Sequence, residues 1–181
     1  GALDLSFRLL SWDGSLANPV IHHGQSTFEQ RGGMGDRWHY HPELELTWFS
    51  EGEGIRMVGD SIRTFHAPEA VLLGAFLPHR WQVAKSKGIA LQFRVGPGSV
   101  FGAIPELRDL NALWDRAAGG IVLGPALSGL VGAQLRAVHG AHALRDLALR
   151  PRRGVGHHAL GRDAGASHDQ HRERADGQGA R

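Results

Sequence analysis

The stretch GMGDRWHYHPELELTWFSEG, residues 33–52, decides the fold. Successive side chains of a β-strand point to opposite faces, so His39, His41 and Glu45 share one face if the strand is regular through Pro42. The even-numbered leucines and tryptophan of the stretch then form the opposite, apolar face. The pattern predicts a half-buried strand with imidazole and carboxylate groups on one side.

Short segments rich in β-branched and aromatic residues recur on both sides of this strand, from Leu5 to Val95. Gly, Pro, Asp and Ser separate them, and Gly59-Asp60 has the chemistry of a two-residue hairpin turn. This spacing is typical of an all-β sandwich or barrel. We therefore expect a mainly β domain.

The spacing of the central stretch fits Gly-x5-His-x-His-x3-Glu-x6-Gly at every fixed position. It resembles the first motif of the cupins, and segments 39–46 and 72–81 resemble the cupin-type N-terminal sensor (arabinose-binding-like) domain of AraC-family transcription regulators. The resemblance covers roughly residues 1–149. It implies a cupin barrel, a double-stranded β-helix or jelly roll, over residues 1–98.

The resemblance also implies a divalent-metal site, with one further ligand supplied by a later strand. The implied ligands are His39, His41, Glu45 and His79. The chain has no cysteine, and such a site suits Zn, Ni, Fe, Mn or Cu. A solvated strand face without metal is the alternative. The second cupin motif matches only in part, since Val83 stands where asparagine is expected, and this weighs against catalytic chemistry more than against the fold.

Other side chains are candidates to line a small-molecule pocket beside the metal. Pockets for small ligands combine apolar walls with a few convergent polar groups. We expect that role for Glu43, Trp48, Trp81, Gln92 and Arg94. The alternative for each tryptophan is a place in the core, and the arginine has either an acidic effector or a nearby glutamate as its partner.

After Pro97-Gly98 the hydrophobic period changes from that of strands to that of helices. Pro105 opens the first apolar stripe, and further stripes fall within 127–138 and 143–148. We expect two or three C-terminal α-helices in a helical extension over residues 99–149. These helices either cap the barrel or carry the contacts of a homodimer, as helices after the barrel commonly do in the regulator family.

Residues 150–181 form a Gly/Arg/His-rich tail with two large aliphatic residues and no aromatic residue. So little apolar surface cannot offset the entropy of ordering, which predicts a poorly structured, disordered tail. Related regulators continue here into paired helix-turn-helix units, and that DNA-binding module is absent from this sequence. A change of reading frame near residue 150, or a truncation with an unrelated tail, is our hypothesis for the difference.

The charge distribution argues against direct nucleic-acid binding by the expected barrel. The sequence pI is about 9.7, but seven of the twenty basic residues lie at or after residue 150. Before that point thirteen basic residues face fourteen acidic ones, a formal net charge of −1. A DNA-binding surface normally presents a basic face. We therefore expect no contact between this domain and nucleic acid.

Two functions use the expected barrel differently. In the first, the chain is the effector-sensing, metal-binding domain of an AraC-type regulator, a homodimer that binds a small-molecule effector. In the second, it is a stand-alone metal-dependent cupin enzyme of the oxygenase or isomerase type, with no catalytic residue assigned beyond the metal ligands. A structural barrel without ligand is a third possibility. No run of about 18 apolar residues and no signal sequence is present, so we expect a cytoplasmic protein without a membrane segment.

Overall fold

A computed structural model describes residues 7–24, 26–96 and 98–149 of the chain. The tail at 150–181, expected to be disordered, lies outside the described residues. Ten strands are present in the described part: β1 Phe7–Gly14, β2 Val20–His23, β3 Ser26–Glu29, β4 Leu44–Glu51, β5 Glu53–Val58, β6 Ser61–His66, β7 Glu69–Leu73, β8 His79–Gln82, β9 Ser86–Phe93 and β10 Ile121–Val122. The expectation of a mainly β domain is confirmed.

The strands form two antiparallel sheets. The large sheet has the order β10-β7-β4-β9-β1-β2-β3, and the small sheet has the order β6-β5-β8. Their facing sides share one apolar core, which contains Trp12 and Phe49 from the large sheet and Phe65 and Trp81 from the small one. The molecule is therefore built around two sheets packed face to face.

The expectation of a closed barrel was wrong, because both sheets are open. In the described part of the chain, no strand of the large sheet forms a ladder with a strand of the small sheet. The physical reason lies in the connections. The bend at Gly52, the Ala67-Pro68 turn and segment 83–85 carry the chain from one sheet to the other, where each new strand pairs with other partners.

The turn between β5 and β6 agrees with the prediction from the sequence. Val58 pairs with Ser61, which leaves Gly59 and Asp60 as the two residues of the hairpin loop. Gly59 has φ +54°, a left-handed conformation that L-residues with a Cβ adopt at a steric cost. Glycine at this position therefore sets the register of the small sheet.

Strand β4 separates two environments, as its alternating sequence predicted. Glu45, Thr47 and Phe49 point between the sheets, whereas Leu44 and Trp48 belong to apolar clusters on the outer side of the large sheet. All five side chains are buried. The outer clusters are completed by residues from the C-terminal helices, so both faces of β4 are covered.

The C-terminal extension contains two 3-10 helices, Phe101–Ala103 and Pro105–Leu110, followed by α1 Asn111–Ala117 and α2 Pro125–Leu149. The last two predicted stripes belong to one continuous helix, α2. Gly140 lies between them, but a glycine inside a helix destabilises it by only about 1 kcal/mol relative to alanine, which is too little to end it. The extension also adds a strand to the large sheet that the helical period did not predict. Gly120, with φ +77°, ends the α1 segment and lets β10 pair with β7.

Helix α2 packs on the outer face of the large sheet. Its Leu135 is buried in one cluster with Trp48 and Ile89. Close approach of helix and sheet requires Gly132, since a Cβ at that position would lie 2.2 Å from the Trp48 ring. Across the described ranges, neither α-helix has both the length and the apolar character required to span a bilayer.

Candidate metal centre

Three histidines come together where the segment before β4 meets the start of β8. His39 and His79 form an isolated antiparallel bridge, with N···O distances of 3.2 Å and 2.9 Å in the two directions. His41 follows two residues later. The condition of a regular strand through Pro42 is not met, because β4 begins at Leu44 and proline has no N–H to donate to a ladder.

The bridge places the three imidazole rings in mutual contact. Ring centroids lie 4.3 Å apart for His39 and His79, 5.1 Å for His41 and His79, and 5.8 Å for His39 and His41. One ring nitrogen from each residue lies within 4.8 Å of the other two. The three histidines are thus close enough to hold a metal ion.

Each of the three rings is oriented by a backbone carbonyl two residues away in sequence. A carbonyl oxygen only accepts hydrogen bonds, so each Nδ1 must be the donor, and Nε2 is then the nitrogen available to a ligand. The acceptors are the carbonyl oxygens of Arg37, Glu43 and Leu77, at 2.8, 3.1 and 2.8 Å from the Nδ1 atoms of His39, His41 and His79.

The Nε2 atom of His79 is buried and has no hydrogen-bond partner. Burial lowers the pKa of His79 more than the neighbouring Glu45 charge raises it, so the ring is neutral at pH 7. A neutral ring whose Nδ1 carries the proton has a lone pair on Nε2. An unsatisfied buried acceptor of this kind is costly unless something binds it, which fits the donor set of a metal site.

Glu45 lies beside His41, and its Oε2 is 3.0 Å from the Nε2 of that histidine. Thr47 and Gln92 also donate to its carboxylate. Burial raises the pKa of Glu45, but the hydrogen bond from His41 and the surrounding donors outweigh that effect and hold the pKa well below its ordinary value. Glu45 is therefore ionised and contacts His41, while the three closely spaced ligand nitrogens come from the histidines.

The same contact controls the protonation of His41. Burial lowers its pKa, yet the hydrogen bond to Glu45 and the charges of Glu45 and Glu43 outweigh burial, and the net pKa is raised above the ordinary histidine value. With both ring nitrogens donating, His41 is an imidazolium at moderately acidic pH. A metal ion at its Nε2 would replace that proton.

A polar row crosses the inner face of the large sheet next to the histidines. Arg8 on β1 is paired in register with Gln92 on β9, which is paired with Glu45 on β4. The Arg8 Nε donates to the Gln92 Oε1, and the Gln92 Nε2 donates to the Glu45 Oε2 at 2.5 Å. One chain of hydrogen bonds therefore leads from β1 through Gln92 and Glu45 to His41.

This row forms one side of a cavity of about 340 Å³ between the two sheets. His39, His41 and Glu45 lie on its polar side. Its apolar lining includes Leu10, Leu16, Ile21, Met34 and Trp81. The histidine cluster thus adjoins a cavity of a size suited to a small organic molecule.

Of the side chains predicted to bind a ligand, Trp81 and Gln92 line this cavity and the other three do not. Trp48 points to the opposite side of β4 and packs against α2, because its even position places it on the outer face. Glu43 and Arg94 pair with each other, with a 2.9 Å contact between the Arg94 Nη2 and the Glu43 Oε1.

Arg8 and Thr47 are polar residues of the site that the sequence analysis missed. Arg8 has the same parity as Leu10 and Trp12, so the alternation of β1 was a signal that it faces inward. Thr47 likewise shares the parity of Glu45. Alternation within one strand does not show which other strand pairs with it.

Comparison with known proteins does not extend this description, since no family model, curated protein or solved structure matches the chain.

Proposed function

We propose that the chain binds a divalent transition metal through the Nε2 atoms of His39, His41 and His79. The observation that carries this proposal is the buried, unpartnered Nε2 of His79 beside two further imidazoles oriented in the same way. Imidazole nitrogen suits Zn, Ni, Fe or Cu, and a nearby carboxylate also accommodates Mn. Glu45 is the candidate for a fourth ligand once its bond to His41 is released.

We further propose that the metal centre and its cavity form an effector-binding site, and that the chain acts as the sensor domain of an AraC-type regulator. The resemblance at residues 39–46 and 72–81 supports this function, and so does a cavity of about 340 Å³ adjoining the histidines. A bound metal would supply a Lewis acid toward one donor atom of the effector. The exposed Leu127, Leu130 and Leu144 on α2 are the proposed contacts of a homodimer.

Metal titration of the full chain tests the first part of the proposal. After treatment with a chelator and its removal by dialysis, isothermal titration with Zn²⁺ and with Ni²⁺ should give one site per chain. His39→Ala should weaken binding at least tenfold, while His66→Ala should leave it unchanged. His66 is a suitable control because its exposed ring lies on β6, outside the cavity.

Because His79 is 1% exposed, its replacement is accompanied by a folding check, with His79→Gln as the variant and circular dichroism as the readout. A folded His79→Gln chain that binds metal as tightly as the wild type would refute the proposed centre. Unchanged metal binding in His39→Ala would also refute the proposed centre, and this substitution does not alter a core side chain.

A stand-alone metal-dependent enzyme of the oxygenase or isomerase type is the second candidate. One observation favours it: three closely spaced ligand nitrogens converge among the described residues, and catalytic metal sites commonly keep an open position beside three protein ligands. The two functions differ in turnover. A sensor should bind its effector reversibly and return it unchanged, whereas an enzyme should yield a new product by mass spectrometry in a metal-dependent manner.

A further inference from the structure

Arg8 is a cation that lines the cavity without an acidic partner. Its Nε donates to the neutral amide oxygen of Gln92, and no carboxylate among the described residues forms an ion pair with it. Three other basic side chains on or next to the strands each form an ion pair with a carboxylate. The acid–base pairs are Arg56 with Glu69, Arg94 with Glu43, and Lys87 with Asp13.

The described lining contains one carboxylate, Glu45, and its oxygens contact His41, Thr47 and Gln92 rather than Arg8. The guanidinium of Arg8 is therefore a cationic group of the cavity that no described carboxylate of the lining pairs with. A guanidinium has five N–H donors in a planar fork, and the bond to Gln92 uses one of them.

A second donor without a partner lies in the same lining. The indole Nε1–H of Trp81 is buried and makes no hydrogen bond, although the side chain is only 2% exposed. A buried N–H group normally has an acceptor. Among the described residues, the lining thus contains a guanidinium without an ion-pair partner and an indole N–H without an acceptor.

The remaining walls limit the rest of the ligand. Leu10, Leu16, Ile21 and Met34 form part of the apolar lining of the same cavity. A polyhydroxylated ligand would place hydroxyl groups against these side chains without partners, at a cost for each one. A compact apolar body, aliphatic or aromatic, gains from the same contacts.

We propose that this cavity binds a small organic monocarboxylate, with Arg8 receiving the carboxylate and the apolar wall receiving its hydrocarbon part. The proposal deepens the proposed effector-binding function and rests on it for the location of the site. A guanidinium binds a carboxylate through two parallel hydrogen bonds, so the geometry of the fork adds selectivity to the charge.

The test compares acids with their uncharged amides on the full chain. Hexanoate and benzoate are titrated calorimetrically beside hexanamide and benzamide, with glucose as a polyhydroxylated probe. We expect each acid to bind at least tenfold more tightly than its amide, and glucose to bind more weakly than either acid. Equal affinity for acid and amide, or preference for glucose, would overturn the proposal.

Three variants assign the effect to residues. Arg8→Gln should reduce the affinity for both acids to that of the amides, and Arg8→Lys should retain part of it. Arg63→Gln, on the exposed edge strand β6, is the matched control and should change neither affinity. An Arg8→Gln chain that binds benzoate like the wild type would contradict the assignment.

If Arg8→Gln does not fold, Met34→Trp provides the decision, since Met34 lines the cavity from a loop and is 44% exposed. The larger ring should block both acids in a folded protein, and unchanged binding would refute the location.

Metal affinity separates this inference from the proposed metal centre. Arg8→Gln should still bind one Zn²⁺ per chain, because Arg8 contacts none of the three histidines. Acid binding in a chain that takes up no metal would leave the carboxylate site standing and remove the metal centre. Metal binding without discrimination between acid and amide would support the metal centre and refute the carboxylate site.

Discussion

Gln92 lies directly across the ladder from Glu45 and donates an Nε2–H to its Oε2 at 2.5 Å. The two side chains are buried at the boundary between the polar row and the three histidines. A buried carboxylate is tolerated when its oxygens accept enough hydrogen bonds, and this amide supplies one of them. The hydrogen bond between Gln92 and Glu45 therefore stabilises both the pairing of β9 with β4 and the ionised state of Glu45.

Gln92→Leu should lower the free energy of unfolding by about 1–3 kcal/mol, since it removes a hydrogen-bond donor from a buried charge. Urea denaturation of the metal-free chain measures the change. The same substitution at Gln82, whose side chain is exposed on β8, should stay within about 0.5 kcal/mol of the wild type. Equal losses at the two positions would show that the hydrogen bond contributes little.

The protonation of His41 should follow its contact with Glu45. In the metal-free protein, NMR titration should place the pKa of His41 above its ordinary value of about 6.5, and Glu45→Gln should lower it. The stabilisation from this raised pKa is fully present below the ordinary value and is lost as pH rises through the folded-state pKa. A pKa that does not respond to Glu45→Gln would contradict the described pair.

Metal affinity should depend on pH through the same residue. Because an ion at the His41 Nε2 displaces one proton, affinity should fall about tenfold per pH unit below the pKa of His41 and level off above it. Calorimetric titrations with Zn²⁺ at several pH values between about 5.5 and about 8 measure this slope. An affinity that is flat across the range would mean that His41 is not a ligand.

Metal should also stabilise the fold, because the ion binds a site that exists only in the folded chain. At a free concentration one hundred times the dissociation constant, the gain should be about 2.7 kcal/mol. Urea unfolding with and without Zn²⁺ measures it, and a chelator should reverse it. His39→Ala should show no such gain, whereas a gain that persists in this variant would point to ions bound elsewhere.

Two glycines of α2 offer a matched test of helix docking. Gly132→Ala should destabilise the fold by about 1–3 kcal/mol, because the added Cβ would meet the Trp48 ring at 2.2 Å. Gly129→Ala should instead stabilise it by about 0.5–1 kcal/mol, since no atom lies within 4 Å of the new methyl group. Thermal unfolding distinguishes the two, and a shift of the same sign would contradict the described packing.

Local patterns in the sequence were sufficient for the strands and for part of the site. Alternation located β4, glycine chemistry located the Gly59-Asp60 turn, and motif spacing selected the three histidines that meet in space. These features depend on neighbours within a few residues. The physical preferences that create them are therefore contained in short windows of the chain.

Features that depend on distant partners could not be predicted in the same way. Arg8 and Gln92 are 84 positions apart, and nothing near either residue indicates that β1 pairs with β9 in this register. Trp48 was assigned to the pocket for its size, although its parity already placed it with the apolar outer face. The open sheets depend on which strands pair after each turn, and that is decided by packing across the whole domain.

The position of the histidine bridge has a mechanical consequence. His39 and His41 lead directly into β4 of the large sheet, whereas His79 is the first residue of β8 in the small sheet. The cluster therefore lies across the seam of the sandwich. An ion held by all three rings would link the two sheets at this point and oppose their displacement relative to each other. Occupancy of this one site would therefore affect the rigidity of the whole β-structure.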